Sequence, residues 1–283
     1  MDQTSMPVRA RRLIRKMRGG AQAHLIEASD GELYIVKFTN NPQHRRILVN
    51  EWLASVFLRY LQIHVPDTAV VELTPEFIAE NPDLYLSIGS RREPVPPGLH
   101  FGSRMAVDPD RVAVFDFLPD KLLGQIENRA DFLGMLVFDK WAANADSRQA
   151  VFFRARAKTW TPLKGDTPPR IGFFAQMIDH GFAFNGPHWE FPDSPLQGLY
   201  FRPSVYAEVR SLDSFQPWLA LAENLPVEVL DTAWKEVPRP WLADDEDALE
   251  ALLETLFRRR SRIGQLLTDI HRAKPSLFPN WKA

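Results

Sequence analysis

The order of apolar and polar positions divides the chain into a strand-rich beginning and a helix-rich remainder. Residues 23–28 and 32–38 are short, mostly apolar runs on either side of the turn at 29–31, a pattern typical of a β-hairpin. Residues 43–61 carry an apolar stripe with helical spacing. A further β-branched run follows at 68–73. We therefore expect a small sheet crossed by one helix.

Beyond residue 110, helical periodicity dominates. Apolar spacing predicts helices over 131–143 and 227–237, and one long final helix over 245–271. Prolines interrupt residues 74–100 repeatedly, so we expect a loop or helical turn there, flanking a strand at 84–88. Residues 164–166 (Lys-Gly-Asp) are expected at a hairpin tip.

One lysine interrupts the second apolar strand. Lys37 stands between Val36 and Phe38, and a buried ammonium needs an anionic partner. An edge lysine with its charge in solvent is the ordinary alternative. Glu51 follows 14 residues later, in the middle of the predicted helix. This layout matches the lysine–glutamate pair that holds ATP phosphates in kinases.

A glycine pair, Gly19-Gly20, precedes the hairpin. Glycines before a strand let backbone N–H groups approach a phosphate closely, although the pair would serve equally well in a plain turn.

Two aspartates stand at chain reversals in the second half. Asp146 follows an apolar helical run and precedes a strand, and Asp179 follows the strand end Met177-Ile178. Either could simply cap local backbone N–H groups. Phosphoryl transfer needs two carboxylates placed in this way, one to orient the acceptor and one to hold the metal that bridges the phosphates.

The turn at residues 144–148 and the later Ile-Asp-His-Gly segment resemble the HipA-like kinases and, more distantly, the type II phosphatidylinositol 4-kinases. The resemblance runs over residues 18–185 and implies an α+β, two-lobed, protein-kinase-like fold. Residues 1–110 would form a small sheet-based, nucleotide-binding N-lobe. Residues 111–283 would form a mainly helical C-lobe with the catalytic and metal-binding groups.

The same resemblance implies a role for each candidate residue. Asp146 would be catalytic, and Asp179 would bind Mg²⁺. Lys37 would hold ATP with Glu51 as its partner, and Gly19 and Gly20 would contribute to nucleotide binding.

Two positions depart from the family pattern, and the first is Ser147, which stands where the family has an arginine directly after the catalytic aspartate. The family usually has an asparagine metal ligand five residues after the catalytic aspartate, and here that residue is Val151. Gln149 and Asn144 are the nearest oxygen donors in sequence. We favour Gln149 as the replacement ligand, because Asn144 is better placed to brace the turn.

Composition narrows the remaining possibilities. The net charge of −2 gives no bulk attraction to nucleic acid, and the arginine-rich residues 8–18 could be an arm that binds nucleic acid or, as we favour, a solvated lead-in strand or helix. The chain has no cysteine, which rules out disulfides and thiolate-bound zinc. No apolar run reaches the ~18 residues of a membrane span, and we expect a cytoplasmic protein. The Walker, Gly-x-Gly-x-x-Gly, Gly-x-Ser-x-Gly and His-Glu-x-x-His patterns do not occur.

The leading hypothesis is thus an ATP- and Mg²⁺-dependent kinase that phosphorylates a serine or threonine hydroxyl of a protein. The alternatives are a non-catalytic nucleotide-binding or partner-binding module of the same fold, and a small-molecule or lipid kinase. The resemblance alone also implies a partner of the toxin–antitoxin type. The protein acceptor stays unknown.

Overall fold

The structure is a computed structural model that describes residues 6–156 and 171–282. It begins with a closed five-stranded barrel. The barrel strands are β1 (Val8–Lys16), β2 (His24–Ala28), β3 (Leu33–Lys37), β4 (Thr68–Leu73) and β7 (Gly98–Arg104). Their order around the barrel is β1, β2, β3, β7, β4, and parallel pairing of β1 with β4 closes it. Val36 is buried inside the barrel, so its neighbour Lys37 lies on the opposite face of β3.

Helix α1 (Arg46–Tyr60) connects β3 to β4 and is buried along most of its length. It packs on β7 and on the helices of the C-terminal part, where Trp52 meets Trp241 edge to face with ring centroids 5.8 Å apart. The helix is therefore buried on nearly every side, including at its polar residues Asn50, Glu51 and Ser55, and not only on the one stripe that the sequence predicted.

A short insertion separates β4 from β7. It contains α2 (Pro75–Glu80), capped by the Thr74 hydroxyl, and the hairpin of β5 (Tyr85–Ile88) with β6 (Arg91–Pro94). The strand expected at 84–88 is present. Its partner was not predicted, because the Arg-Arg-Glu-Pro sequence of β6 has no alternation of apolar residues.

A second sheet follows, with strands in the order β10, β9, β8. These are β8 (Val114–Phe115), β9 (Gln149–Arg156) and β10 (Ile171–Ile178). Helices α3 (Asp120–Leu123) and α4 (Asp131–Trp141) lie between β8 and β9 in the chain. Antiparallel pairing sets Gln149 opposite Ile178, which brings the start of β9 next to the end of β10. The predicted hairpin tip at 164–166 lies outside the described residues.

The remainder is helical. Its helices are α5 (Trp218–Glu223), α6 (Val227–Glu236), α7 (Arg239–Leu242), α8 (Glu246–Arg259) and α9 (Ile263–Ala273). The prediction of one long final helix was wrong, because a 3-10 turn at Arg260–Arg262 divides it. The break lets α8 pack on α6 while α9 packs on α4.

The molecule is therefore α+β, with a sheet-rich first part and a helical remainder. The expected lobe boundary at residues 110 and 111 falls between β7 and β8, and the division into two lobes stays a prediction. In the part of the chain that the structure describes, no helix is long and apolar enough to cross a membrane.

Candidate active site

Lys37 is the centre of a buried ion-pair cluster. Its ammonium donates hydrogen bonds to a Glu51 carboxylate oxygen on α1 and to Asp179 Oδ1 at 2.8 Å. The side chains of Lys37 and Glu51 are both buried, whereas 37% of the Asp179 side chain remains exposed. The structure thus joins the predicted strand lysine, its helical partner and the later aspartate, although 142 residues separate Lys37 from Asp179.

The charges in this cluster stabilise one another. Burial alone would lower the pKa of Lys37, but the carboxylates of Glu51 and Asp179 outweigh burial and raise it. Burial would raise the pKa of Asp179, and the Lys37 ammonium, helped by Arg148, outweighs that effect and lowers it. At neutral pH the cluster therefore contains a protonated lysine beside an ionised aspartate that solvent can reach.

Asp179 sits where β10 ends in a left-handed turn. Its φ of 58° lies in a region that non-glycine residues rarely adopt, a feature that clusters at functional sites. The next turn residue, Gly181, is required by close packing, since a Cβ atom there would lie 2.6 Å from Ile47 Cγ2 on α1. The close approach of α1 explains the glycine. A left-handed backbone does not, because the φ of Gly181 is not positive.

Asp146 lies in the turn between α4 and β9 and is exposed. Its carboxylate accepts a hydrogen bond from the Ser147 N–H at 2.7 Å, and its own N–H donates to Asn144 Oδ1 at 3.1 Å. Backbone bonds join this turn to the chain after Asp179, including Ala145 N–H to Phe182 O at 2.9 Å. The two aspartates thus lie on adjacent segments that are hydrogen-bonded to each other.

Gln149 and Asn144, the two candidate replacement ligands, have different surroundings. Gln149 is exposed at the start of β9, and its Nε2 lies 3.2 Å from Asp179 Oδ2. Asn144 is buried, and besides accepting from Asp146 it donates to Asp139 Oδ1 at 2.9 Å. Asn144 therefore braces the turn, and Gln149 lies beside Asp179.

A buried ion pair that the sequence did not predict lies beneath the site. The Arg148 guanidinium binds both carboxylate oxygens of Asp139 on α4, with Nε 2.9 Å from Oδ2. It also donates to the carbonyl of Ile178 at 2.8 Å and to His180 Nδ1 at 3.0 Å. Arg148 therefore connects the Ile178 carbonyl and the His180 ring, on either side of Asp179, to the helix that precedes the Asp146 turn. The available signal was Asp139 near the end of α4, directly after the apolar run 132–138.

Gly19 and Gly20 lie in the turn between β1 and β2, beside the strand that carries Lys37. Gly19 has a φ of +115°, which favours glycine, and a Cβ on Gly20 would lie 2.8 Å from the Gln43 amide nitrogen. The backbone of the turn thus favours glycine at position 19, whereas at position 20 only the flexible Gln43 side chain would have to move.

The donors around Asp179 fit a hard divalent cation, because a carboxylate and an amide group lie together and sulfur is absent from them. Within residues 6–156 and 171–282, no cluster of three His, Cys, Asp or Glu side chains could hold a metal. A cation held by Asp179 and Gln149 would therefore need further oxygen ligands from phosphate or water.

Comparison with family models gives a match to the HipA-like kinases over residues 11–158, just over half of the chain. The chain belongs to the HipA-like kinase family. The resemblance to the HipA-like kinases is thereby confirmed, and the matched range includes the Asp146 turn and ends before Asp179. A kinase-like phosphotransferase is the activity class that the family supports.

Solved structures of kinases resemble this HipA-like kinase in fold. A Golgi casein kinase crystal structure with Mn/ADP bound matches with a TM-score of 0.51 and 12% identity, over 95% of this chain and 73% of that one. The structure of hydra Fam20 with sugar matches with a TM-score of 0.53 and 11% identity, over 96% and 88%. At such identities the likeness concerns the fold alone, and it confirms the predicted protein-kinase-like class. Comparison with curated proteins gave no match.

Proposed function

We propose that this HipA-like kinase transfers the γ-phosphoryl group of ATP, with Mg²⁺, to a serine or threonine hydroxyl of a protein. The observation that carries the proposal is the double ion pair of Lys37 with Glu51 and Asp179. A buried lysine on a sheet, held by a helical glutamate next to a solvent-accessible aspartate, is the arrangement that binds ATP phosphates and metal in kinases.

Each residue then has one task. Lys37 binds the α- and β-phosphates, and Glu51 holds its ammonium in place. The backbone N–H groups around Gly19 and Gly20 approach the phosphates. Asp179, assisted by Gln149, holds the metal ion, which neutralises charge on the β- and γ-phosphates when it is bound.

Asp146 acts on the acceptor. It is exposed at a turn that is hydrogen-bonded to the Asp179 segment, so its carboxylate can accept a hydrogen bond from the substrate hydroxyl. The hydroxyl oxygen bonds to the γ-phosphorus as the bond to the ADP oxygen breaks, and Asp146 receives the proton. Such catalysis consists mostly of positioning and charge stabilisation.

A second candidate function is a nucleotide-binding module without transfer activity. The observation that favours it is Val151, half buried on β9 where the family usually has a metal-binding asparagine. A small-molecule or lipid kinase is a third candidate. It differs from the leading one only in the acceptor.

Thermal stabilisation by ATP, measured with Mg²⁺ and with EDTA, followed by phosphotransfer from labelled ATP, separates these candidates. We expect stabilisation that is larger with Mg²⁺, and labelled phosphoserine or phosphothreonine on an acceptor protein or on the kinase itself. Binding without transfer to any protein, lipid or small-molecule acceptor supports the module. Transfer only to a lipid or a metabolite supports the third candidate. No ATP binding at all contradicts the proposal.

A further inference from the structure

Asn50 is a fully buried polar residue on α1, directly before Glu51. Amide side chains are seldom fully buried without hydrogen-bond partners, since an unpaired amide in the interior loses its hydrogen bonds to water and destabilises the folded state. Every partner of Asn50 lies in one segment, residues 181–189, which follows Asp179 in the chain.

The side-chain amide of Asn50 is fully used. Its Nδ2, which carries two hydrogens, lies within hydrogen-bond distance of three backbone carbonyls, those of Gly181 at 2.7 Å, Gly186 at 2.9 Å and Ala183 at 3.1 Å, so that two of them share one hydrogen. Its Oδ1 accepts a hydrogen bond from Trp189 Nε1 at 2.8 Å. One side chain on the helix thus satisfies polar groups at both ends and in the middle of the segment.

The segment needs such a donor because its backbone is irregular. Phe184, Asn185 and Trp189 all have left-handed φ values, between 56° and 59°. Carbonyls in a chain of this shape have no neighbouring strand or continuous helix to pair with, so a side chain must supply the N–H groups. An aliphatic side chain of the same size would remove the side-chain donor from the three buried carbonyls and the acceptor from the partly buried Trp189 indole.

A second side chain of α1, one turn earlier, contacts the same segment. Arg46 donates to the Pro187 carbonyl at 2.9 Å, and its guanidinium lies 4.1 Å from the centroid of the Trp189 ring. It also forms a two-bond ion pair with Asp245, at the start of α8. Residues four apart lie on one face of a helix, so Arg46 and Asn50 together bind residues 181–189 to one face of α1.

We propose that Asn50 is a positioning residue that sets the distance between Glu51 and Asp179 and so determines how well the site binds metal-bound ATP. Asn50 touches neither carboxylate. It ties the helix that carries Glu51 to the segment that follows Asp179, and a Cβ placed on Gly181 would lie only 3.6 Å from Glu51 Oε1. This inference rests on the proposed function, because it concerns nucleotide binding at that site.

The decisive variants are Asn50→Leu and Trp189→Phe. The first removes all four hydrogen bonds at nearly constant volume. The second removes only the bond to Asn50 Oδ1 and keeps an aromatic ring beneath Arg46. The matched control is Asn128→Leu, since Asn128 is also a buried amide and bonds to Asp131 and to the Ala175 backbone within regular structure.

Two quantities are measured on the full chain. The first is the dissociation constant of ATP in EDTA divided by that in Mg²⁺, both measured by calorimetry. The second is the hydrogen exchange of the amides of residues 181–189 without nucleotide. We expect Asn50→Leu to lower the ratio at least about tenfold and to speed exchange in the segment, and Trp189→Phe to give about a threefold change in the same direction. Asn128→Leu should lower the melting temperature and leave both quantities unchanged.

An unchanged ratio and unchanged exchange in a folded Asn50→Leu protein would overturn the inference, as would equal changes in the Asn128→Leu control. If Asn50→Leu does not fold, Trp189→Phe is the test: a changed ratio and faster exchange support the inference, and unchanged values overturn it. A wild-type protein without Mg²⁺-dependent ATP binding refutes the proposed function, and this inference with it. If only the inference about Asn50 is wrong, the wild-type protein still binds ATP more tightly with Mg²⁺ than without it.

Discussion

The amide nitrogen of Gln149 lies 3.2 Å from a carboxylate oxygen of Asp179. The antiparallel register of β9 with β10 produces this contact, because it sets Gln149 opposite Ile178, the residue before Asp179. Val151 lies on the same face of β9, two residues further on, opposite Gln176. Rotation of the amide by half a turn would bring the Gln149 oxygen, a better metal ligand, to the same place.

Gln149→Ala should therefore raise the Mg²⁺ concentration required for activity and lower the rate at least about tenfold, equivalent to ~1.4 kcal/mol of lost transition-state stabilisation. The alanine keeps the strand but supplies no oxygen. A Mg²⁺ titration of phosphotransfer is the measurement.

Val151→Asn provides the matched test for Gln149. Added to Gln149→Ala, it returns an amide to the position where the family usually has one, and it should restore part of the lost Mg²⁺ affinity. A titration of Gln149→Ala that overlays the wild-type curve would show that Gln149 is only a surface residue at a strand start.

Lys37→Met should lower kcat/KM for ATP at least about a hundredfold, or ~2.7 kcal/mol, because the phosphates lose their buried cation. The fold should persist, since methionine fills similar space and burial raises the pKa of Glu51, which can become neutral by binding a proton. Glu51→Gln should give a milder loss of about tenfold. Unchanged turnover in a folded, active Lys37→Met preparation would refute the assignment.

Asp179→Asn and Asp146→Asn should separate binding from transfer. The first should abolish the Mg²⁺ dependence of ATP binding, because the charged oxygen that a hard cation prefers is lost. The second should leave ATP binding nearly unchanged and reduce transfer at least about a hundredfold. Calorimetry and a phosphotransfer assay on each variant provide the test. Equal loss of binding in both would indicate that the aspartates are structural caps.

The Lys37–Glu51 contact could be predicted from the sequence because both of its signals are local. A charge in an apolar strand and an acidic residue in an apolar helix each indicate burial, and their order matches a known layout. The left-handed turn at Asp179 and the close approach of Gly181 to Ile47 could not be predicted in this way. Both depend on how α1 packs against a segment more than a hundred residues later in the chain.

The pairing of Asp139 with Arg148 was missed for a related reason. The spacing of residues along α4 does not show that the following turn folds back onto the helix, so the sequence does not reveal that Arg148 is the partner of Asp139. The final helix illustrates the opposite error. Its apolar stripe continues in phase across residues 260–262, and only the different packing partners of α8 and α9 require a break there.

His100 links the stability of the barrel to pH. The residue is completely buried on β7, and its Nδ1 accepts a hydrogen bond from the Thr39 backbone N–H at 3.2 Å. Its Nε2 lies 3.0 Å from the Pro96 carbonyl, to which it donates. Burial lowers the pKa of His100 from 6.5 to about 4. Protonation would place a second donor against the Thr39 N–H, so the folded state resists it.

Because the folded pKa of His100 is depressed, the unfolded chain binds more protons than the folded chain between pH 6.5 and about 4. The contribution of His100 to the free energy of unfolding is complete above pH 6.5 and is lost as the pH falls through this window. The loss is about 2 kcal/mol between pH 7 and pH 5. His100→Gln, whose amide can accept from Thr39 and donate to Pro96 but cannot titrate, should therefore lose about 2 kcal/mol less than wild type over that interval. Urea unfolding at the two pH values measures the difference, and parallel losses in the two proteins would mean that His100 does not control the acid sensitivity of the barrel.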